Sequence, residues 1–161
     1  MRAVEFTELF LPADQPRYAM GLGTPAQLVE LVARGVDLFD CVLPTRVARN
    51  GTAFTANGTV SIKGGFNKMD FGPIEEGCAC YACRNFSRAY LRHLLNVNEI
   101  LGLRMLSVHN SYMFMKLMAD LRAHLSAGTF AEFRRQFVAN YVPTQKVLSS
   151  RQLQRTAEEE R

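Results

Sequence analysis

The chain has 161 residues, 48% of them hydrophobic, and a formal net charge of +4, so it is long enough for one domain with an apolar core. Four cysteines are too few for a secreted disulfide scaffold, and the first residues carry no apolar signal segment. No apolar run approaches the ~18 residues that a bilayer crossing needs. These features argue against a membrane protein and predict a reducing, cytoplasmic environment.

The first part of the chain has the pattern of a βαβ unit. Residues 17–23 (RYAMGLG) predict a short strand that ends in a glycine-rich turn. Thr24 and Pro25 are typical of an N-cap and a first helical position, and they predict a helix that Gly35 ends. Residues 36–43 (VDLFDCVL) predict a second strand. A strand, a helix and a strand in so few residues predict two parallel strands joined by a covering helix.

An unpaired acid, Asp40, lies near the C-terminal end of the second predicted strand. Ligands and catalytic groups collect at that end of the strands in parallel α/β architectures. Two interpretations remain open. The carboxylate is a nucleophile, as carboxylates are toward sugar carbons in glycosidases, or it accepts hydrogen bonds from backbone amides of the turn. The next residue, Cys41, is expected to pack in the core.

The middle and C-terminal parts of the chain predict a loop-rich segment followed by helices. After Pro44, residues 45–77 are expected to be mainly loop, with a hairpin turn at Asn57 and Gly58. Three helices are predicted, with Gly102 and Gly128 as stops after the first two, over residues 84–101, 109–126 and 130–141. The tail from residue 145 is polar.

Cys78, Cys80 and Cys83 form a C-x-C-x2-C motif, and His109 follows after a helical span. Zinc binds three thiolates and one imidazole in closed tetrahedral sites that are structural. The alternative is a disulfide pair with a spare thiol, which requires an oxidising compartment. We therefore expect one structural zinc ion that holds a small subdomain together.

The positive charge is almost entirely arginine, whose planar guanidinium suits phosphates and base edges. Arg46 and Arg49 are expected in a loop. Arg84, Arg88 and Arg92 recur at i, i+4 spacing and are expected to share one helix face. That face is either a nucleic-acid contact or an ordinary solvated surface, and the spacing does not distinguish the two.

Several motifs together resemble the C-terminal portion of bacterial tRNA-guanine transglycosylases, over residues 5–142. The motifs are YAMGLGTPAQLVELVARGVDLFDCVLPTRVARNG, CACYAC, SRAYLRHLL, EILG and SVHN. The resemblance implies an α/β fold: the last two βα units of a (β/α)8 TIM barrel, an inserted zinc-binding subdomain and C-terminal helices. The corresponding segments are 1–44 (partial barrel), 45–110 (hairpin and zinc subdomain), 111–142 (C-terminal helices packing on the barrel) and 143–161 (polar tail).

The same resemblance implies a pentosyltransferase of queuosine biosynthesis. Its substrates are tRNAs with a U-G-U anticodon, bound through the anticodon loop, and a deazaguanine precursor of queuine that replaces the wobble guanine. Asp40 matches the family nucleophile, which holds the ribose covalently until the new base attacks. Met20 matches the residue that packs against the base, although on sequence alone it reads as core packing.

The resemblance also implies the metal ligands and the RNA-binding residues. The ligands of the structural Zn2+ are Cys78, Cys80, Cys83 and His109. The RNA-binding residues are Gly21, Leu22, Gly23, Thr24, Pro25, Ala26 and Gln27, with Thr45, Arg46, Val47, Ala48 and Arg49. Without the resemblance, the first of these runs reads as an ordinary strand-to-helix turn.

A whole (β/α)8 barrel takes about 250 residues, so the resemblance covers only part of one. The family's second catalytic aspartate, its proton acceptor, falls outside the part that is matched. We therefore expect the chain to be a fragment that lacks base exchange in isolation. The alternative is a catalytically inactive, zinc-containing module that binds tRNA or docks on a subunit, as a homodimer or on a full-length copy. A generic zinc ribbon would need a second cysteine pair.

Overall fold

A computed structural model of the chain describes residues 2–142, and the predicted polar tail, 143–161, lies outside the described residues. The architecture mixes helices with short strands. In chain order the elements are α1 (Arg2–Glu8), β1 (Tyr18–Ala19), α2 (Pro25–Val32), β2 (Leu38–Phe39), α3 (Leu43–Arg49), β3 (Thr52–Thr55), β4 (Gly58–Ser61), a 3-10 helix (Gly65–Met69), α4 (Tyr81–Asn85), α5 (Arg88–Asn96), α6 (Ile100–Ser126) and α7 (Phe130–Asn140). Within residues 2–142, no helix has both the length and the apolarity that crossing a membrane requires.

The predicted βαβ unit is confirmed, with shorter strands than expected. Strands β1 and β2 pair in parallel and α2 connects them. The start of α2 is a capping box: the Thr24 hydroxyl accepts the Gln27 amide at 3.3 Å, and the Gln27 side chain accepts the Thr24 amide at 3.0 Å. Gly35, with φ +78°, follows the end of α2 as predicted.

The sequence predicts a loop after Pro44, and this prediction is wrong for the first residues, because helix α3 runs from Leu43 to Arg49. Pro44 lies in the first turn of α3, where its fixed φ suits a helix and its missing N–H costs nothing. Arg46 and Arg49, expected in a loop, therefore lie on a helix.

The predicted hairpin is confirmed as an antiparallel pair of β3 and β4, in which Ala53 lies opposite Val60 and Thr55 opposite Gly58. Its turn lies one residue earlier than predicted, at Ala56 and Asn57, and Gly58 begins β4. The end of α7 returns to this hairpin, where the Val142 amide donates to the Asn57 carbonyl at 3.1 Å. The chain that follows α7 is thus held against the β3–β4 hairpin.

The single helix predicted over residues 84–101 is divided into α4, α5 and the start of α6. Ser87 caps α5 by accepting the Tyr90 amide at 3.2 Å. The chain then turns at Asn98, whose φ of +59° lies in the left-handed region that asparagine tolerates. The second predicted helix starts earlier than expected, and its end before Gly128, at φ +70°, is confirmed.

Gly102 was predicted to stop a helix, but it lies inside α6 and is buried. A Cβ at this position would lie 2.9 Å from the Leu94 Cβ and 3.2 Å from the Leu95 backbone nitrogen. The missing side chain therefore allows α5 and α6 to approach closely, and the turn that a sequence pattern assigned to Gly102 occurs at Asn98 instead.

Helix α6 is the central element, and three apolar clusters form on it. The first lies against the hairpin, α4 and α5, and includes Ile62, Leu91 and Leu106. The second joins α3, β3 and the end of α7 around Phe54, and the third joins α2 and α7 to the C-terminal half of α6. Burial on α6 therefore positions α2, α3, β3, α4, α5 and α7.

Glu30 on α2 links the outer helices through a partly buried ion-pair network. Both of its carboxylate oxygens bind the Arg134 guanidinium of α7, at 2.7 and 2.9 Å, and Arg34 binds it at 2.6 Å. Arg134, followed by Arg34, lowers the pKa of Glu30 below its ordinary value of 4.5. Glu30 therefore stabilises the fold when it is ionised.

Replacing Gly102 with alanine should destabilise the chain, although alanine is normally the better helix former by ~1 kcal/mol. Overpacking against Leu94 costs about 1–3 kcal/mol, so we expect a net loss of about 1 kcal/mol in the free energy of unfolding, measured with urea. Ala119→Gly, at an exposed position of the same helix, is the matched control and should lose ~1 kcal/mol through propensity alone. A Gly102→Ala chain as stable as the parent would contradict this packing.

Glu30→Gln should lower the free energy of unfolding by about 1 kcal/mol at pH 7. Because the folded-state pKa of Glu30 is depressed, its contribution is fully present above the ordinary value of 4.5 and is lost as the pH falls through the lowered pKa. The parent and the variant should therefore converge in acid. Glu132→Gln, which weakens exposed contacts with Arg135 and Gln136 in the first turn of α7, should lower the free energy of unfolding by no more than about 0.5 kcal/mol.

Candidate functional site

The four predicted metal ligands meet in one cluster, the Cys3His cluster of Cys78, Cys80, Cys83 and His109. Their ligand atoms all lie within 4.8 Å of one another. The His109 Nδ1 is 3.7, 3.5 and 3.4 Å from the three sulfur atoms in chain order. All three cysteines are free thiols, so the alternative of a disulfide with a spare thiol is wrong.

These separations fit one tetrahedral zinc ion. With zinc–sulfur bonds of about 2.3 Å and zinc–nitrogen bonds of about 2.0–2.1 Å, the sulfur and nitrogen atoms of such a site lie about 3.5–3.6 Å apart. The observed distances from Nδ1 span this value. Cys80 and His109 are buried and the other two cysteines are half-buried. With four protein ligands the site is closed, as a structural zinc requires.

A backbone carbonyl orients the imidazole of His109. Its Nε2 lies 2.7 Å from the Phe54 carbonyl oxygen of β3. Because a carbonyl only accepts hydrogen bonds, Nε2 carries the proton and Nδ1 directs its lone pair toward the three sulfur atoms. The neutral tautomer that a metal needs is thus selected by the fold.

Asn110, the next residue, binds the same strand and was missed by sequence reasoning. Its side-chain oxygen accepts the Phe54 amide at 2.9 Å, and its Nδ2 donates to the Thr52 carbonyl at 3.1 Å and the Pro44 carbonyl at 2.9 Å. His109 and Asn110 therefore satisfy both backbone groups of Phe54 on the edge of β3 that faces away from β4. The only sequence signal was a pair of polar residues within a helix that is apolar on one face.

The thiol pKa values show how the cluster distributes charge. The hydrogen bond from Cys83, with a further contribution from His109, lowers the pKa of Cys80 to about 3. The same bond raises the pKa of Cys83, and burial raises that of Cys78. Thiolates are the form that binds zinc, so a bound zinc ion would supply the positive charge that three adjacent thiolates need.

The predicted nucleophile, Asp40, directly follows β2 and is exposed to solvent. Its Oδ1 accepts the Tyr18 hydroxyl at 2.5 Å and the Gly21 amide at 2.9 Å. The Tyr18 bond, and then the Gly21 bond, lower the pKa of Asp40 below its ordinary value, while the pKa of Tyr18 is raised. Asp40 thus accepts a turn amide, as one interpretation expected, and remains an accessible carboxylate, as the other requires. Sequence reasoning missed Tyr18.

The glycine-rich turn beside Asp40 is only partly accessible. Met20 is 75% exposed, so it does not pack in the core. Gly21 and Leu22 are exposed, whereas Gly23 and Pro25 are buried. The remaining predicted RNA-binding residues of this run are half-buried, namely Thr24, Ala26 and Gln27. The Gly21 amide is already bound to Asp40, so the turn offers fewer free donors than its sequence suggested.

The second predicted RNA-binding run, on α3, divides into an outer and an inner face. Thr45, Arg46 and Arg49 are exposed. Val47 and Ala48 are buried in the apolar clusters against β3 and α6, so their side chains hold α3 in place. Any side-chain contact to a ligand from α3 therefore comes from the outer three residues.

The expected arginine face on one helix is wrong. Arg84 lies on α4, whereas Arg88 and Arg92 lie on α5, where they bind other groups of the protein. Arg88 pairs with Asp70 at 2.8 Å and donates to the Ile74 carbonyl, and Arg92 donates to the Gly64 carbonyl at 3.0 Å. These two arginines hold the segment before the cysteines in place and do not form a free cationic surface.

Comparisons with known proteins agree with this geometry. Residues 1–143 match the family model described as Queuine tRNA-ribosyltransferase. The queuine tRNA-ribosyltransferase of Symbiobacterium thermophilum is 57% identical over 131 residues, which cover 81% of this chain and 33% of the relative. The relatives with the same name in Pelotomaculum thermopropionicum and Bacillus licheniformis are 51% and 50% identical over 86% and 87% of this chain, and 37% of each relative is covered. The chain spans about a third of the length of these curated relatives.

Cys80→Ser should reduce the zinc content well below one ion per chain and lower the melting temperature, because metal binding and folding share one free energy in such sites. Metal analysis by mass spectrometry and thermal unfolding measure the two effects. Cys41→Ser is the matched control, since this half-buried thiol lies outside the cluster. Full zinc content in Cys80→Ser, or unchanged unfolding after chelation of the parent, would contradict a structural metal.

Proposed function

The chain belongs to the queuine tRNA-ribosyltransferase family, and from this premise we propose that it carries the nucleophile of a base exchange in tRNA. The exchange replaces the wobble guanine of a U-G-U anticodon with a deazaguanine precursor of queuine. The observation that supports this most strongly is Asp40, an exposed carboxylate directly after β2 whose Oδ1 accepts the Tyr18 hydroxyl and the Gly21 amide.

The proposed reaction consists of two displacements at the anomeric carbon of the ribose. Asp40 attacks that carbon, and guanine leaves with the electron pair of the broken carbon–nitrogen bond and takes up a proton. The incoming base then displaces the carboxylate after losing its own proton. Two inversions retain the configuration, and the phosphodiester chain is not involved.

The exposed residues around Asp40 are the proposed RNA contacts. Arg46 and Arg49 suit the phosphates and unstacked bases of an anticodon loop, and Thr45 adds a hydroxyl. Met20 is proposed to pack against a base, which its exposed thioether allows. In the glycine-rich turn and the start of α2, the proposed contacts are Gly21, Leu22, Thr24, Ala26 and Gln27. The buried residues Gly23 and Pro25, with Val47 and Ala48 on α3, are proposed to support these contacts through packing.

For the fold, we propose that β1, α2 and β2 belong to the last units of a (β/α)8 barrel. This is supported by the parallel pairing and by Tyr18 and Leu38, which are 52% and 53% exposed on a two-stranded sheet within the described residues. We propose the segments 1–44, 45–110 and 111–142 as functional divisions. The last two are joined by α6, which runs through the boundary between them.

A second function, docking on another subunit or on a second copy of the chain, is favoured by a separate observation. The rings of Phe86 and Tyr90 are stacked, with their centroids 5.7 Å apart. The ring of Tyr81 meets that of Phe86 edge to face, with centroids 6.0 Å apart. Tyr81 is 59% exposed and Tyr90 43% exposed. Exposed aromatic groups of this kind are enriched at protein interfaces. In this alternative the chain binds tRNA or a subunit without reacting.

Asp40→Asn should abolish a covalent adduct between the chain and a tRNA with a U-G-U anticodon, while the affinity for the RNA stays nearly the same. The amide keeps the size of the side chain but loses the charge that attacks the ribose. Denaturing gels and mass spectrometry detect the adduct, and a filter-binding assay measures the affinity. Asp37→Asn is the matched control, because this carboxylate lies on the same segment and accepts the Arg17 amide.

We expect adduct from the parent chain and from Asp37→Asn. An adduct that persists in Asp40→Asn would overturn the assignment of the nucleophile. Binding of tRNA by the parent with no adduct would instead favour the non-reacting docking module.

A further inference from the structure

We propose that Tyr18 is a positioning residue for Asp40: together with the Gly21 amide it holds Oδ1, which leaves Oδ2 as the oxygen that attacks the ribose. This inference rests on the proposed function of Asp40. It adds a residue that neither the sequence motifs nor the family comparison assigns.

The register of the two parallel strands explains the contact. Tyr18 lies opposite Leu38, and Asp40 follows two residues later, so Tyr18 and Asp40 project on the same side of the sheet in a diagonal relation. A long aromatic side chain reaches across such a diagonal to the neighbouring strand. The 2.5 Å separation of the oxygens is typical of a hydroxyl bound to an ionised carboxylate.

The two oxygens of Asp40 are inequivalent. Within the described residues, this carboxylate accepts two hydrogen bonds from other residues, and Oδ1 is the acceptor in both. Two donors from different elements, β1 and the glycine turn, resist rotation of the carboxylate, since rotation breaks both bonds. Oδ2 keeps its lone pairs free for a new bond. The donors near Asp40 that lower its pKa are neutral, namely the Tyr18 hydroxyl and backbone amides, so the charge of the carboxylate is not cancelled.

The chemical step then assigns Tyr18 a particular role. In the first displacement, the bond from Oδ2 to the anomeric carbon forms and the bond to guanine breaks. Its electron pair leaves with the base nitrogen, which is protonated by a Brønsted acid. The carboxylate becomes an ester and Oδ1 becomes its carbonyl oxygen. In the second displacement the incoming base loses a proton to a Brønsted base and its nitrogen forms the new bond to the anomeric carbon. The ester bond breaks, its electron pair returns to Oδ2, and the negative charge on the carboxylate is restored.

Hydrogen bonds to Oδ1 are stronger when the carboxylate is charged than when it is an ester. The Tyr18 hydroxyl therefore stabilises the carboxylate as a leaving group in the second displacement, and it aids the first displacement only through orientation. Loss of this hydroxyl should slow breakdown of the adduct more than its formation. A purely structural role would affect both steps equally.

Tyr18→Phe removes the hydroxyl and keeps the ring, which is half exposed, so the variant is expected to fold. In the first experiment, the Asp40 carboxyl carbon is titrated by NMR in the full chain without RNA. The pKa of Asp40 should rise toward its ordinary value in Tyr18→Phe and stay unchanged in Tyr90→Phe, an exposed tyrosine on α5. An unchanged Asp40 pKa in Tyr18→Phe would overturn the proposal.

In the second experiment, formation of the adduct with tRNA is measured directly, and breakdown is measured as hydrolysis of the isolated adduct, in which the carboxylate is again the leaving group. In Tyr18→Phe we expect breakdown to slow roughly tenfold, as for loss of one hydrogen bond to a charged group, with a smaller effect on formation. Equal slowing of both steps would overturn the role of Tyr18 and leave the proposed function intact. No adduct from the parent chain would overturn both.

Discussion

The imidazole of His109 joins the three thiols to the backbone of β3, and the second half of the structure is organised around this contact. One ring nitrogen faces the sulfur atoms and the other binds the Phe54 carbonyl. The residue lies in the middle of α6, the helix on which all three apolar clusters form. A zinc ion in the cluster would therefore tie the cysteine segment, the hairpin and the central helix with one set of bonds. Because the cluster forms only in the folded chain, its binding energy contributes to folding.

The same helix connects this region to the carboxylate. Asn110 donates to the Pro44 carbonyl in the first turn of α3, only four residues after Asp40. Val47 and Ala48 pack the inner face of that helix into the core. The segment that follows Asp40 is consequently anchored to α6 next to a metal ligand. The metal region is thus linked through Asn110 to the backbone beside the proposed nucleophile.

The structure also separates charges that bind within the protein from charges that remain available. Arg88 and Arg92 bind the segment that precedes the cysteines, so they add rigidity and no free cationic surface. Arg46 and Arg49 lie on the exposed face of α3. A composition rich in arginine is therefore compatible with RNA binding but does not identify the residues involved, because the guanidinium group serves internal carbonyls as well as phosphates.

Local signals made several features predictable from the amino-acid sequence. The spacing of the cysteines with a distant histidine determined the ligand set, and Thr24 with Pro25 determined the start of α2. The hairpin followed from its Asn-Gly pair to within one residue, and the βαβ unit from two short apolar runs around a capped helix. Each of these features depends on residues that are near one another in the chain, or on a chemistry that few residue types can supply.

Other features were decided only by contacts between residues far apart in the sequence. The pairing register of β1 with β2 placed the Tyr18 hydroxyl on Asp40, and the packing of β3 on α6 gave His109 its carbonyl partner. The close approach of α5 and α6 made Gly102 a packing residue, although the local pattern resembled a helix stop. Strand register and helix contacts arise from burial of whole faces, and no short stretch of sequence contains the information that specifies them.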